Sequence, residues 1–373
     1  MTDNTPGAAA ETVAQELAAK LAVTRQALDD RRLGAIRLRG QDWYAWATCG
    51  GSNGVLLASE QGVAEILVTA DRAVVLTDTI EATRLEAEEV PDGIDIMQFA
   101  WAEPGRREDY IRETAGKGPV ASDRPSDGEV AVPEELIAEK RRLRAGEVAR
   151  YRDLGRDAAA ALTETIEAAL PDASELEIAG LGAAAMLRRG IEPALVLVGG
   201  SRRMDLYRHP RPTAEPIGDR LMVVFCGRRS GLYANLTRLG YFREPSSAER
   251  AAAATVARVE AVAWDASRPG ATLGEAYAAI SDAYRRFGQS GAERGHHQGG
   301  TTGYQSREAF ATPGSLVEIV PTVALAWNPS LPGMKIEDTI VRADDGSEVL
   351  TFDPRWPTVD VDGRQRPDLW VVG

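Results

Sequence analysis

The stretch Gly218-Asp219-Arg220-Leu221-Met222-Val223-Val224, resumed at Gly231-Leu232-Tyr233-Ala234-Asn235-Leu236-Thr237-Arg238, decides how this chain is read. Residues 220–225 are a short run of β-favouring side chains, and 194–198 and 316–320 are runs of the same kind. Around them the pattern is helical. Residues 133–170 and 176–189 interleave Ala and Leu with Glu and Arg, and 247–266 and 273–287 are further helical stretches. This part of the chain therefore reads as α+β. Its halves, 133–245 and 246–345, have similar helix and strand content, a hint of an old duplication, and no tandem repeat of solenoid length is present.

Upstream, residues 12–31 place Val13, Leu17, Leu21, Val23 and Leu28 at helical spacing, which predicts an opening amphipathic helix. Short β-favouring runs follow at 35–38, 54–57, 65–68 and 73–76, and helical composition returns at 83–89. That is an α/β domain. Residues 117–133 are dense in Gly, Pro, Ser and Asp and read as a linker. The expected organisation is an N-terminal α/β domain over 12–132, an α+β domain over 133–352 and a C-terminal tail over 353–373.

A chain of 373 residues is too long for one ordinary hydrophobic core, which agrees with two domains. The net charge of −13 argues against a nucleic-acid partner, because binding a phosphate backbone needs a basic footprint. The basic run at 140–144 lies in a helical pattern among acidic residues and reads as a solvated face. Cys49 and Cys226 stand far apart in apolar settings, as thiols do in a reducing compartment. No run approaches the ~18 apolar residues of a membrane span, and residues 1–11 lack the basic start and apolar core of a leader. A cytoplasmic protein without membrane contact is expected.

All three histidines fall in two short stretches, Arg208-His209-Pro210-Arg211-Pro212 and Gly295-His296-His297-Gln298-Gly299-Gly300. Imidazole is the side chain best suited to moving protons near neutral pH. Proline fixes the backbone around one stretch, and glycine lets the other pass close to a neighbour, so the three rings look positioned.

The two segments of the opening stretch resemble the strand pair of the aminopeptidase P, prolidase and creatinase family, whose larger domain has the pita-bread fold. Gly333-Met334-Lys335-Ile336-Glu337-Asp338-Thr339, followed by Gly346-Ser347-Glu348-Val349-Leu350-Thr351, resembles that family's closing hairpin. The segment around Asp42-Trp43-Tyr44-Ala45-Trp46 is similar to the smaller creatinase-type N-terminal domain. The resemblance implies, for metallopeptidase members, two metals held by two Asp, one His and two Glu. Those positions fall here on Phe225, Asn235, His296, Val320 and Glu337. Only His296 and Glu337 keep the family's residue, and hard cations want anionic oxygen, so no catalytic metal and no other cofactor is expected.

Residues 295–309, from Gly295-His296 to Arg307-Glu308-Ala309, align without a gap on the metal-free creatinase branch. By that resemblance His209 takes the position of the catalytic histidine, Arg307 grips a substrate carboxylate and Glu337 a guanidinium. Thr237 and Val320 depart from creatinase's glutamates, which speaks against creatine itself. Cleavage of a C–N bond needs a base for water, an acid for the leaving nitrogen and a clamp for the substrate. The residues expected to supply these are His209, His296 and Glu337 as catalytic groups, with His297, Arg307, Asn235, Thr237, Gln298 and Tyr304 binding a small polar substrate. Cys226 reads as an inert strand thiol. The alternatives are a metal-dependent Xaa-Pro aminopeptidase or prolidase, and a catalytically silent pita-bread module that binds a metabolite or peptide. The resemblance also implies a homodimer, with Trp43, Tyr44 and Trp46 available as an apolar lid.

Overall fold

Thr12 caps the first helix, α1 (Val13–Arg31): its hydroxyl accepts the Gln15 N–H while the Gln15 side chain accepts from the Thr12 N–H, a capping box. The computed structural model describes residues 11–343 and 346–372, so all but Glu11 of the polar start lies outside the described residues. The chain divides into two compact units, Met1–Arg150 and Tyr151–Gly373.

In the first unit α1 is followed by β1 (Ala35–Gly40), α2 (Gln41–Ala47), β2 (Gln61–Val68), β3 (Ala73–Asp78), α3 (Ala82–Glu88), β4 (Asp95–Phe99), α4 (Pro104–Ala115), β5 (Val120–Ser122), β6 (Glu129–Ala131) and α5 (Glu134–Arg141). The strands form one mixed sheet in the order β4-β3-β2-β1-β5-β6. Residues 117–133 thus contribute two strands besides their turns, β5 inside the sheet and β6 at its edge. Three expectations change here. Residues 54–57 form no strand, and Leu56 and Leu57 are exposed, because β propensity without a neighbouring strand satisfies no backbone group. Trp43, Tyr44 and Trp46 are core residues of α2, not a lid. Lys140 is buried, pairs with Asp42 at 3.3 Å and lies over the Trp43 ring, so the basic run is not uniformly solvated.

The helix α6 (Ala145–Glu167) leads into the second unit, which continues with α7 (Glu175–Leu187), β7 (Glu192–Gly200), α8 (Arg203–Leu206), β8 (Arg220–Arg229), β9 (Leu232–Tyr241), α9 (Ser247–Ala266) and α10 (Leu273–Arg286). Capping boxes at Ser174/Glu177, Ser246/Glu249 and Thr272/Glu275 start α7, α9 and α10. A single 3₁₀ turn, Ala292–Gly295, then precedes β10 (Gly299–Thr302), β11 (Ala309–Phe310), β12 (Val323–Trp327), β13 (Ser330–Leu331), β14 (Met334–Lys335), β15 (Asp338–Ala343), β16 (Gly346–Val349), β17 (Thr358–Val361), β18 (Arg364–Pro367) and β19 (Trp370–Val371).

Two sheets organise this unit, one in the order β19-β9-β8-β7 and one in the order β11-β10-β12-β15-β16. They meet where the Thr237 N–H of β9 donates to the Glu337 carbonyl at 3.0 Å. The core joins Met222, Val224 and Leu239 of the first sheet to Leu325, Trp327 and Ile340 of the second, and to Val256, Val259 and Trp264 of α9 and Ile280 and Tyr284 of α10. Residues 316–320 are not a regular strand: they pair only with the turn at 270–273, through one bridge, Glu318 to Thr272, and backbone hydrogen bonds of Val317 and Ile319, and Leu316 is exposed. The tail is bound tightly. Arg366 of β18, 2% exposed, donates to Glu260 and to Asp338 and lies 4.3 Å from the Trp264 ring centre, while β19 adds a parallel strand to β9. No helix among the described residues is long and apolar enough to cross a membrane.

Candidate active site

His209 follows the short helix α8, and its place is fixed by the next residue. The Pro210 ring lies against Gly199 at the end of β7, where any side chain would meet it. His296 and His297 leave the 3₁₀ turn, and Gln298 holds them from below. Its buried amide nitrogen donates to the Glu293 carbonyl at 3.2 Å and to the His296 carbonyl at 2.7 Å. Gln298 therefore shapes the loop; its hydrogen bonds go to backbone.

The loop runs straight into β10 because Gly299 and Gly300 take backbone angles closed to other residues, φ +113 and +152. A Cβ at Gly299 would stand 2.1 Å from the Ala326 carbonyl oxygen, and one at Gly300 2.0 Å from that of Ala309. Strands β11 and β12 close on these two bare α-carbons.

The result brings all three imidazoles together. His209 Nε2 lies 2.9 Å from His296 Nε2, so one nitrogen donates and the other accepts, and a proton can pass between them. His297 stacks on His296, with ring centres 4.3 Å apart and planes 26° apart, and meets the edge of Phe310 on its other side. His209 is exposed and the other two are half-buried. The Nδ1 atoms of His296 and His297 are buried without a partner.

Beside the rings sits a buried ionic cluster. Glu337 accepts from Arg307 Nη2 at 2.6 Å on one oxygen, and from Lys335 Nζ at 2.9 Å and Thr237 Oγ1 at 3.0 Å on the other. Burial opposes ionisation of Glu337, but the Lys335 and Arg307 cations overcome it and hold the carboxyl below its usual range. The histidines move the other way. Burial, then the Lys335 charge, pushes His296 down to about 2, while burial, then Arg307, pushes His297 down to about 4. His209 is lowered in the same sense, by burial and then Lys335. At neutral pH all three rings are uncharged.

The remaining expected residues divide. Asn235 is fully buried, with its amide on Thr302 Oγ1 at 3.0 Å and its Oδ1 unpartnered. The Tyr304 side chain is buried and its N–H donates to Glu308. Arg307 and Glu337 spend their charges on each other. Lys335 was missed, although its signal was available: Lys335 and Glu337 are two residues apart in extended chain and so share a face.

The donor set differs from one that would hold a family-type pair of metal ions. In the β8–β9 pairing, Cys226 stands opposite Asn235, whereas Phe225 pairs with Leu236 on the other face and lays its ring against Gly182 of α7. The side chain that faces Asn235 from β8 is thus Cys226, not Phe225. Burial pushes its thiol up to about 12, so it is no ready ligand or nucleophile. Val320 packs against the apolar core. With Glu337 consumed by two cations and a hydroxyl, the five positions do not fit a carboxylate-bridged metal pair.

Residues 149–343 match metallopeptidase family M24, and the chain belongs to that family. Its fold is the family's pita-bread fold, preceded by an N-terminal α/β domain. Among solved structures it is similar to the Xaa-Pro dipeptidase from Bacillus anthracis, with a TM-score of 0.77 and 19% identity over 95% of this chain and 100% of that one. It is similar also to the X-Pro aminopeptidase from Thermotoga maritima, with a TM-score of 0.76 and 18% identity over 94% and 99% of the two chains. The N-terminal domain of the FACT complex subunit SPT16 from chickpea, Cicer arietinum, shares the fold at a TM-score of 0.70 and 12% identity, over 90% of this chain and 96% of that one. Identities this low speak for fold alone. A comparison with curated proteins gave no match.

Proposed function

We propose that this protein hydrolyses a C–N bond in a small polar substrate, with its proton traffic running through His209 and His296 in the manner of the metal-free creatinase branch. The observation that carries the reading is the 2.9 Å contact between the two Nε2 atoms, in a place where the carboxylates of a metal pair are missing. A water attacks the substrate carbon as His209 Nδ1, the ring nitrogen left with a free lone pair when Nε2–H donates to His296 Nε2, takes its proton. The C–O bond forms, the C–N bond breaks, and the same proton goes to the leaving nitrogen. His209 suits this role better than its neighbours, since it is the exposed ring and a base as weak as His296 is poorly matched to neutral pH. His296 fixes the orientation of His209 and shares its proton. The ion-paired Glu337, Arg307 and Lys335 supply a fixed field.

A second reading has one observation in its favour. His209, His296 and His297 each offer a ligand atom, all within 4.8 Å of one another, a spacing from which three imidazoles could close on one borderline cation such as zinc. Elemental analysis of the purified protein, combined with a hydrolysis screen over ureas, amidines and N-substituted amino acids, separates the readings. Turnover by metal-free protein, reduced about 10²- to 10⁴-fold in His209→Ala, is the expected result. Stoichiometric zinc, manganese or cobalt that disappears in His297→Ala would replace it with the metal-assisted reading. Ligand binding without turnover in the unaltered protein would leave only a binding module.

A further inference from the structure

From Ile178 to Leu187 the helix α7 contains no polar side chain, and a helix that is apolar all round normally lies buried. Here only its inner side does. Ile178, Ala185 and Met186 are buried, and Gly182 lets the helix settle on the Phe225 ring of β8. The outer side faces water, with Leu176 55%, Leu181 43% and Leu187 59% exposed, and with Gly180 and Ala184 exposed between them. A Cβ on Gly180 would have no atom within 4 Å. At each end of this apolar face stands one charge. Arg188 is 63% exposed with its nearest carboxylate, Glu164, at 3.8 Å, and Glu177 accepts from the Ser174 cap through Oε2, which leaves Oε1 facing outward from the cap.

The order of these residues on the helix says what covers the face. At about 3.6 residues per turn, Gly180 and Ala184 run along its middle, Leu176 and Leu187 along one flank, and Glu177, Leu181 and Arg188 along the other. A two-fold axis at the level of Gly182 lays a second copy of the helix antiparallel on the first and keeps each flank on its own side. Glu177 then meets Arg188 of the second copy, Leu176 meets Leu187, and Leu181 meets its own counterpart beside the axis. Every contact is apolar on apolar or opposite in charge, and the small residues in the middle let the two helices approach closely. A parallel arrangement would exchange the flanks and set both charges against leucines. We propose that the outer face of α7 is a docking surface for a second copy of this chain, joined antiparallel about a two-fold axis. The proposal is independent of the hydrolase reading. One helix face is small beside the ~800 Å² per partner of a standard interface, so the association is reversible, with a micromolar dissociation constant.

The test is sedimentation velocity of the full chain over a concentration series. At tens of micromolar the parent should have twice the mass of Leu181→Glu, which sets two carboxylates against each other beside the axis and should weaken the association at least about 100-fold. Glu177→Gln keeps the capping box and removes only the charge pairs. It should weaken the association about 3- to 10-fold and flatten its salt dependence, and it should melt close to the parent when both are dilute. Leu316→Glu, on a loop residue that is 87% exposed, is the control and should leave the mass unchanged. Equal masses for the parent and Leu181→Glu at every concentration up to hundreds of micromolar would overturn the proposal. So would a loss of mass in Leu316→Glu as large as that in Leu181→Glu. An association that keeps its full strength and full salt sensitivity in Glu177→Gln would overturn the antiparallel arrangement, because no charge pair would then be part of it.

Discussion

At the scale of single residues, Glu337 is the most heavily committed side chain of the site. Two buried cations share its carboxylate, and both are almost wholly withdrawn from water. Such a cluster gains little over an apolar one, yet removal of one member leaves the rest uncompensated. Glu337→Gln keeps the shape, removes the charge and leaves Arg307 and Lys335 facing each other. We expect it to lower the unfolding free energy by about 3–5 kcal/mol, read as a reduced urea midpoint. A variant within about 0.5 kcal/mol of the parent would show that the two cations find other partners. Chemistry at this scale was only partly legible. The histidine stretches announced themselves by their rarity and their Pro and Gly frames. The mutual capture of Arg307 and Glu337 was hidden, because they lie 30 positions apart and only folding sets them 2.6 Å from each other.

At the scale of elements, β10 is the strand that aligns His296 and His297 with the rest of the site, and its geometry depends on bare α-carbons. Gly300→Ala would push a methyl group onto the Ala309 carbonyl and force a φ that alanine avoids. The expected outcome is a loss of at least about 2 kcal/mol and faster amide hydrogen exchange in β10 and β11. Unchanged exchange would mean the sheet can part there at little cost. Helices were read well from sequence: 247–266 was placed as α9 lies, since Ser246 and Glu249 mark its start in the chain itself. Strands were read less well. Residues 54–57 have the composition of a strand and lack a partner strand, and 316–320 find only the turn at 270–273, which is a property of the fold and not of the segment. The side chain facing Asn235 was misplaced for a related reason. A shift of one position along β8 exchanges Phe225 for Cys226 on the face that Asn235 shares, because successive strand residues point to opposite sides.

At the scale of the whole molecule, the uncharged imidazoles tie stability to pH. His296 and His297 bind protons less readily in the folded chain than at the ordinary value of 6.5. Below that value the unfolded chain takes up protons that the folded one refuses, so acid favours unfolding. Stability should therefore be fully present above about pH 6.5 and be lost progressively as pH falls towards the folded values, with Glu337 adding to the loss in stronger acid. Thermal melts at constant ionic strength between about pH 7.5 and 4.5 check this, and a flat melting temperature across that span would contradict it. His296→Asn should shallow the slope, since it removes the ring with the largest depression.

The salt-bridged Arg366 has a consequence for how the chain is made. Glu260 and Asp338 close over an arginine that is encoded 28 positions after the second of them, with Arg238 as the other cation on Asp338. Until residue 366 has cleared the ribosome exit tunnel, those carboxylates have no such counter-ion and the interior around Trp264 has no stopper. The second unit therefore cannot finish maturing from its N-terminal side during translation.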